Sequence, residues 1–168
     1  MCFEIKLVDV DKDKSEISKL ASLARVIWEQ HFPPIIGESQ VEYMIDKFQS
    51  QKALDSQISE GYIYYFIIED EKEIGYFGIQ PKSDGTLFLS KLYIEISHRG
   101  NGYARKAFEF IKDYAKENNL SSVWLTVNKH NDSTIAIYKK FGMEITKELV
   151  SDIGNGFVMD DYIFTYAL

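Results

Sequence analysis

Apolar and polar positions alternate along this chain with two periods, which predict a mixture of strands and helices. Runs with a period of two, rich in β-branched and aromatic residues, predict strands. These strands cover residues 3–8, 62–69, 74–80, 123–127, 143–153 and 157–167, and another begins at Leu87. Apolar residues spaced three and four apart predict helices over residues 52–59 and 102–117, and after Ser15, Ser39 and Asn131.

Start and stop signals are visible at the ends of the first helices. Pro33-Pro34 is expected to end the first helix. Ser39 and Glu42 match a capping box, which predicts that the second helix starts at Ser39. The apolar stripe of the first helix consists of Ile17, Leu20, Ala21, Ala24, Ile27, Trp28 and His31, and that of the second of Val41, Met44, Ile45 and Phe48.

Turn residues separate the strands. Asp70-Glu71-Lys72-Glu73 is predicted to form the turn of one hairpin, and Gly154-Asn155-Gly156 the turn of the last one. The order strand, two helices, three strands, helix, strand, helix, two strands predicts an α/β (α+β) fold with a mixed, mostly antiparallel sheet and helices on both faces. Because no repeat or linker divides the sequence, residues 1–168 are predicted to form a single domain.

Composition narrows the class of protein. The 168 residues are 45% hydrophobic, which is enough for a sizeable core, and the formal net charge of −7 argues against a nucleic-acid partner. Cys2 is the only cysteine, and the three histidines show no ligand spacing, so no disulfide and no metal site are expected. Neither a signal-peptide pattern nor a membrane-length apolar run is present, so a cytoplasmic location without membrane contact is expected.

The candidate ligand site is a glycine-containing turn between the strand that begins at Leu87 and the next helix. The turn consists of Arg99, Gly100, Asn101, Gly102, Tyr103 and Ala104. Such a turn is typical of phosphate sites, because glycines allow close approach and the first helical N–H groups point outwards. The third glycine of a dinucleotide-binding loop and the lysine of a P-loop are both missing.

A second motif follows the strand at residues 123–127. Asn131 comes shortly after this strand, a short helix carries Tyr138, and Phe141-Gly142-Met143 closes the segment. Together and in this order, the glycine turn and this segment resemble motifs A and B of the GNAT N-acetyltransferase superfamily. The resemblance covers residues 62–168, and the preceding third of the chain matches in general layout.

The resemblance implies that acetyl-CoA is the acetyl donor and that a primary amine of a small molecule or peptide attacks the thioester directly. It also implies splayed central strands. The backbone of Leu92, Tyr93 and Ile94 would pair with the pantetheine arm, and the Ile94 N–H would polarise the acetyl carbonyl. The turn from Arg99 to Ala104 would hold the pyrophosphate.

Two residues of the second motif have matched roles in the family. Asn131 corresponds to a residue that contacts the pantetheine, and Tyr138 to one that protonates the departing sulfur. The alternative for Tyr138 is a core aromatic, because Ile135, Tyr138 and Phe141 lie on one helical stripe. For the whole chain, the alternatives are a catalytically inactive GNAT-fold module that binds CoA or a partner, and an α/β binding domain without a CoA site.

The general base and the acceptor are left open by the resemblance. Some family members carry a glutamate base at the position of Phe88, so Glu29, His31, Glu95 and a chain of water molecules are the remaining candidates. The acceptor is expected near the first helices and the last hairpin, and a homodimer is a further possibility. The candidate acceptor residues are Trp28, Glu29, His31 and Phe32, which resemble relatives near the polyamine acetyltransferase branch, and Asp160 and Asp161, which could attract a polycation.

Overall fold

The computed structural model describes residues 2–9 and 14–168. The strands are β1 (Phe3–Leu7), β2 (Ile63–Glu69), β3 (Lys72–Pro81), β4 (Leu87–Ile94), β5 (Ser122–Asn128), β6 (Glu144–Gly154) and β7 (Phe157–Ala167). The α-helices are α1 (Ser15–His31), α2 (Pro33–Ile36), α3 (Glu38–Met44), α4 (Gln51–Ser59), α5 (Tyr103–Glu117) and α6 (Asp132–Lys140). A π-helical turn covers Ile45–Gln49, and a 3₁₀ turn covers Ile96–His98.

The chain forms two compact units. The first comprises Met1–Gln80 and Lys91–Phe108, and the second Pro81–Ser90 and Glu109–Leu168. The strand β4 and the helix α5 each contribute residues to both units. The prediction of a single domain over residues 1–168 stays a prediction.

In the first unit, β1, β2 and β3 form antiparallel pairs. The turn between β2 and β3 is tighter than predicted, because Glu69 already pairs with Lys72. Only Asp70 and Glu71 lie in the turn, with φ of 48° and 69°. Two left-handed residues match the twist of the flanking strands, which is why a two-residue connection is favoured over the predicted four-residue turn.

Helices cover both faces of the strands in the first unit. On one face, α1 and α4 bury a core that consists of Val8, Leu20, Ala24, Ile27, Leu54, Tyr64, Phe66, Ile68 and Tyr76. Side chains alternate along β1, so Phe3 and Val8 point to opposite faces. On its own face, Phe3 stacks on Tyr103 at the start of α5, with ring centroids 5.4 Å apart.

The segment after α1 differs from the prediction. The first helix ends at His31 as expected, but Pro33 then occupies the first turn of α2, where a missing N–H costs nothing. The capping box at Ser39 is wrong, because α3 starts one residue earlier, with Gly37 as its N-cap and a φ of 85°. The following π-helical turn shifts the helical phase, so that Gln49 is buried and Phe48 is half-buried.

The second unit contains the parallel pair of the fold. The first residues of β4, Leu87 and Phe88, pair with Val123 and Trp124 of β5. Beyond them, β5 pairs with β7 and β7 with β6, both antiparallel. The short parallel register agrees with the predicted splayed strands, and the mixed, mostly antiparallel α/β fold is confirmed.

Within the second unit, α5 and α6 pack on the same face of β7. Lys112 of α5 lies over the Tyr166 ring, 4.9 Å from its centroid, and Tyr138 of α6 lies 6.2 Å from Phe164. Phe164 and Tyr166 are two residues apart and therefore share this face. The last hairpin turns at Asn155 and Gly156, within the predicted turn.

We predict that Gly75→Ala destabilises the fold and disturbs β4. A Cβ on Gly75 would lie 2.5 Å from the Tyr93 carbonyl oxygen and 2.9 Å from Ile94 Cδ1, so backbone has to move. Overpacking of this kind costs roughly 1–3 kcal/mol. Thermal unfolding should show a lower Tm than for Ser83→Ala, an exposed control in the β3–β4 loop. An unchanged Tm for Gly75→Ala would contradict the close packing of β3 against β4.

Candidate active site

The turn between β4 and α5 leaves open space beside its glycines. Gly100 and Gly102 have φ of 83° and 78°, which side-chain-bearing residues rarely adopt. A Cβ at either glycine would meet no atom of the described chain within 4 Å. The carbonyl of Gly102 accepts the first hydrogen bond of α5, from Lys106 N at 3.1 Å. A helix N-terminus with uncrowded glycine backbone can therefore receive an anionic ligand.

Arg99 holds the turn rather than extending away from it. Its Nε donates to the carbonyl oxygen of Ile94 at 3.0 Å, and its Nη1 lies 3.2 Å from His31 Nδ1. Burial lowers the pKa of the guanidinium, and the neighbouring Glu95 opposes this effect. The side chain therefore links the end of α1 to the end of β4.

A carboxylate from β2 fixes the other side of the turn. Glu69 accepts a hydrogen bond from the Tyr103 hydroxyl at 2.6 Å and contacts His98 Nδ1 at 2.8 Å. These two bonds lower the pKa of Glu69, and the bond to Glu69, together with burial, raises the pKa of Tyr103 to about 12. Sequence reasoning missed Glu69, because its partners are 29 and 34 residues away along the chain.

The carboxylate of Glu95 also makes several contacts at the turn. It accepts hydrogen bonds from the Ser97 hydroxyl and, at 3.3 Å, from Gln30 Nε2, and it lies 3.5 Å from His98 Nε2. The hydrogen bond from Ser97 is the main cause of its lowered pKa. A carboxylate with these partners and a lowered pKa is a weak base, which favours a structural role for this candidate.

Aromatic side chains form a cluster at the end of α1. Trp28 is 4% exposed, lies 4.3 Å from Phe32 and 5.7 Å from Tyr93 between ring centroids, and donates its N–H to the Tyr76 hydroxyl. That hydroxyl donates in turn to Gln49 at 2.9 Å, and burial raises the pKa of Tyr76. The π-helical turn places Gln49 there, which no sequence signal predicted.

The predicted residues at the end of α1 thus have different surroundings. His31 contacts the edge of the Phe32 ring, at 4.8 Å between centroids, as well as Arg99. Glu29 is exposed and pairs with Arg25 at 2.9 Å. The structure therefore brings Trp28 and His31 toward the end of β4, whereas Glu29 faces solvent.

In the second unit, Asn131 and Tyr138 lie on the segment that begins α6. Asn131 is buried and is the N-cap residue of α6. Tyr138 is 6% exposed and packs against Phe141 and Phe164. Burial raises its pKa, which keeps the hydroxyl protonated. The packing of the ring is that of the predicted core aromatic.

The hydroxyl of Tyr138 differs from those of the other buried tyrosines. Tyr64, Tyr76 and Tyr103 each donate to a side chain, respectively Gln57, Gln49 and Glu69. Among the described residues, the Tyr138 hydroxyl has no such partner. The hydroxyl is nonetheless not one of the fully buried polar atoms of the described chain that lack a hydrogen-bond partner.

The two adjacent aspartates of β7 have opposite surroundings. Asp160 lies 3.0 Å from Lys129 Nζ, which also lies 3.6 Å from Glu148. Asp161 is 4% exposed. Burial, with a contribution from Asp160, raises the pKa of Asp161 to about 6, and the charge of Lys129 partly opposes this rise. The sequence suggested the same role for both residues, the attraction of a polycation, whereas the structure gives them different surroundings.

Known proteins of one family resemble this chain. The model of the acetyltransferase (GNAT) family matches residues 20–143. The chain belongs to the GNAT acetyltransferase family. An uncharacterized N-acetyltransferase of Lactobacillus delbrueckii subsp. lactis is 21% identical over 159 residues, covering 90% of this chain and 91% of the relative.

Solved GNAT structures share the fold at low identity. The PaiA N-acetyltransferase of Thermoplasma acidophilum, in complex with coenzyme A, has a TM-score of 0.80 and 18% identity, with each chain fully covered. The ribosomal-protein-S18-alanine N-acetyltransferase of Escherichia coli has a TM-score of 0.69 and 16% identity, covering 99% of this chain and 94% of that one. At these identities the likeness extends to the fold alone.

Within residues 2–9 and 14–168, no helix is long and apolar enough to cross a membrane. The same residues contain no group of three histidine, cysteine or acidic side chains arranged to hold a metal ion.

We predict that Asp161→Asn stabilises the fold at neutral pH. An aspartate has a pKa of about 3.9 when unfolded, and that of Asp161 is about 6 in the fold. Between these values the folded state keeps a proton that the unfolded state has released, so the contribution of Asp161 to stability falls as the pH rises through this window. Above it the buried charge costs about 1–3 kcal/mol, which the amide avoids.

Chemical denaturation at pH 7 and at pH 4 tests this expectation. The Asn variant should unfold at higher denaturant concentration at pH 7, and the difference should shrink at pH 4, where the wild-type carboxyl is largely neutral when folded. Glu144→Gln removes an exposed carboxylate from β6 and serves as the control. A variant that is less stable than the wild type at pH 7 would show that the charge of Asp161 has an unseen partner.

Proposed function

We propose that this chain transfers the acetyl group of acetyl-CoA to a primary amine of a small molecule or peptide by direct attack. Family membership supports the reaction class, and the coenzyme A bound to the Thermoplasma relative supports the donor. The observation that carries the proposal is the open, left-handed glycine backbone at the start of α5. No anionic side chain of the turn occupies that space, and the helix dipole favours a negative group there.

Acetyl-CoA is a substrate in this proposal, and the chain supplies the groups that bind it. The backbone from Arg99 to Ala104 holds the pyrophosphate, and the strand residues Leu92, Tyr93 and Ile94 accompany the pantetheine arm. As the amine attacks, negative charge grows on the acetyl oxygen, and the Ile94 N–H stabilises it. The bond from Arg99 Nε to the Ile94 carbonyl limits the motion of this backbone.

Tyr138 is proposed as the acid that protonates the departing thiolate, and Asn131 as a contact of the pantetheine. Burial raises the pKa of Tyr138 and keeps its hydroxyl protonated at neutral pH, as a general acid requires. The thiolate is a fair leaving group without help, because a thiol pKa is about 8.5. Protonation therefore accelerates the reaction without being indispensable.

The acceptor, the location and the assembly of the chain remain predictions. A polyamine acceptor, recognised by residues at the end of α1 and by the acidic pair of β7, is one hypothesis, and an α-amino group is another. The Escherichia coli relative is named for transfer to an alanine of a ribosomal protein. A cytoplasmic location, a homodimer and the lack of nucleic-acid and membrane partners stay predictions of the sequence.

An acceptor screen tests the reaction directly. Acetyl-CoA consumption is followed with spermidine, amino acids, aminoglycosides and a short peptide that has a free N-terminus, and mass spectrometry identifies the acetylated product. Transfer to any of these amines would support the proposal. CoA binding without transfer to any amine would favour the inactive module, and no CoA binding at all would favour an unrelated binding domain.

We predict that Gly102→Glu weakens acetyl-CoA binding. The substitution places bulk and negative charge in the open space at the start of α5. A like charge within about 4 Å costs on the order of 1–4 kcal/mol, so affinity should fall by roughly fivefold to several hundredfold. Gly85→Glu is a matched control, since Gly85 also has a left-handed φ, of 84°, and open space around its Cβ position. Calorimetric titration that gives both variants the wild-type affinity would refute this placement of the pyrophosphate.

We predict that Tyr138→Phe lowers kcat at least about tenfold. General acid catalysis typically contributes about 10²–10⁴-fold, and a smaller effect is expected here because the thiolate is a fair leaving group without help. The ring and its packing against Phe164 are kept, so Tm and acetyl-CoA affinity should change little. Tyr114→Phe removes a half-buried hydroxyl from α5 and should leave kcat unchanged. Wild-type kcat in the Tyr138→Phe variant, measured where chemistry limits the rate, would return Tyr138 to a purely structural role.

A further inference from the structure

The peptide group between Ile94 and Glu95 is held from both sides. Glu95 donates its N–H to the Ile74 carbonyl oxygen of β3 at 2.7 Å, and the Ile94 carbonyl oxygen accepts from Arg99 Nε at 3.0 Å. Successive residues of a strand direct their backbone groups to alternate edges, so the N–H and the carbonyl of Ile94 both face away from β3. Arg99 thus bonds to the strand residue whose N–H is proposed to polarise the acetyl carbonyl.

Arg99 is itself held by the end of α1. Its Nη1 lies 3.2 Å from His31 Nδ1. A guanidinium has only donors, so His31 Nδ1 accepts this hydrogen bond. In a neutral imidazole one nitrogen accepts and the other carries the proton, whereas an imidazolium has no acceptor. His31 in contact with Arg99 is therefore neutral, with its proton on Nε2.

Aromatic neighbours set the orientation of the His31 ring. The ring makes an edge-to-face contact with Phe32, with centroids 4.8 Å apart and an interplanar angle of 86°. Phe32 is buried and packs in turn against Trp28 and Tyr93, at 4.3 and 5.7 Å between centroids. The ring that accepts the hydrogen bond from Arg99 is therefore supported by the packed aromatic cluster at the end of α1.

We propose that His31 is a positioning residue for acetyl transfer, acting through Arg99 on the backbone of Ile94. This inference rests on the proposed transfer from acetyl-CoA and on the role of the Ile94 N–H in it. The Nδ1 atom restrains the guanidinium, and the guanidinium restrains the residue that carries this N–H. A donor that is already in place stabilises the developing negative charge better than one that must first move.

The same geometry removes His31 from the candidate bases. The lone pair of Nδ1 is taken by Arg99, and Nε2 carries a proton, so neither nitrogen can accept a proton from the amine. His31 therefore influences the reaction through geometry. Loss of its acceptor atom should lower kcat, whereas the glycine backbone that receives the pyrophosphate is unchanged. If Arg99 serves the pyrophosphate instead, the loss should change acetyl-CoA affinity rather than kcat.

Two substitutions separate the acceptor atom of His31 from the rest of its side chain. His31→Asn keeps an oxygen acceptor close to the position of Nδ1, whereas His31→Leu keeps bulk and removes the acceptor. In His31→Leu, kcat should fall roughly tenfold, less than the 10²–10³-fold typically lost when such a donor is removed outright. His31→Asn should recover most of this loss. Acetyl-CoA affinity should stay near that of the wild type in both, as in Ser22→Ala, an exposed control on α1.

Infrared difference spectra of bound acetyl-CoA provide a readout that needs no acceptor amine. A hydrogen bond to the thioester carbonyl lowers its stretching frequency, and isotope labelling of this carbonyl identifies the band. The wild type and His31→Asn should both lower the frequency relative to free acetyl-CoA, and His31→Leu should lie closer to the free value. One frequency shared by all three proteins, or a kcat as low in His31→Asn as in His31→Leu, would overturn the role of His31.

Failure of this inference and failure of the proposed reaction give different results. If the wild type binds acetyl-CoA but acetylates no amine, the proposed transfer fails, while a lowered frequency that is lost only in His31→Leu still supports the positioning role. Nitrogen NMR of histidine-labelled protein tests the contact itself. The resonances that disappear in His31→Asn should belong to a protonated Nε2 and an unprotonated Nδ1. A protonated Nδ1, or altered acetyl-CoA affinity with unchanged kcat in His31→Leu, would overturn the inference.

Discussion

The hydrogen bond from Arg99 Nε to the Ile94 carbonyl oxygen determines where β4 ends and the turn to α5 begins. Ile94 is the last residue of β4, and its carbonyl oxygen accepts this bond. The next residue, Glu95, still donates its N–H to the Ile74 carbonyl oxygen of β3 at 2.7 Å. The chain therefore turns at a defined residue. Glu69 adds a second attachment through Tyr103, on the far side of the same turn. Because side chains outside the glycines provide these attachments, Gly100 and Gly102 need to contribute only exposed backbone.

Buried polar side chains have different surroundings in the two units. In the first unit, the buried hydroxyl of Tyr76 both accepts from Trp28 and donates to Gln49. In the second unit, the carboxyl of Asp161 is buried, and the charge of Lys129 only partly offsets the effect of burial on its pKa.

Periodicity predicted most of the elements, because local patterns decide them. The helix α5 and the hairpin of β6 and β7 lie where the spacing of apolar residues and glycines indicates. The helices between α1 and β2 were predicted less well. Gly37 starts α3 through a left-handed φ, and a π-helical turn then shifts the phase by one residue, which no residue pattern announces. The glycine turn was predictable for the same reason as α5, since its residues are contiguous.

Contacts between distant segments decide the chemistry of individual acidic side chains, which sequence spacing cannot reveal. Glu69 gains two hydrogen bonds that favour its ionised form, so it remains a fixed anion across the neutral range. Asp161 gains none and is buried, so its pKa approaches 6. Strand alternation alone places Asp160 and Asp161 on opposite faces of the strand, but only packing decides which face is shielded from solvent. One carboxylate is therefore an anion that holds a turn in place, and the other keeps its proton to a higher pH.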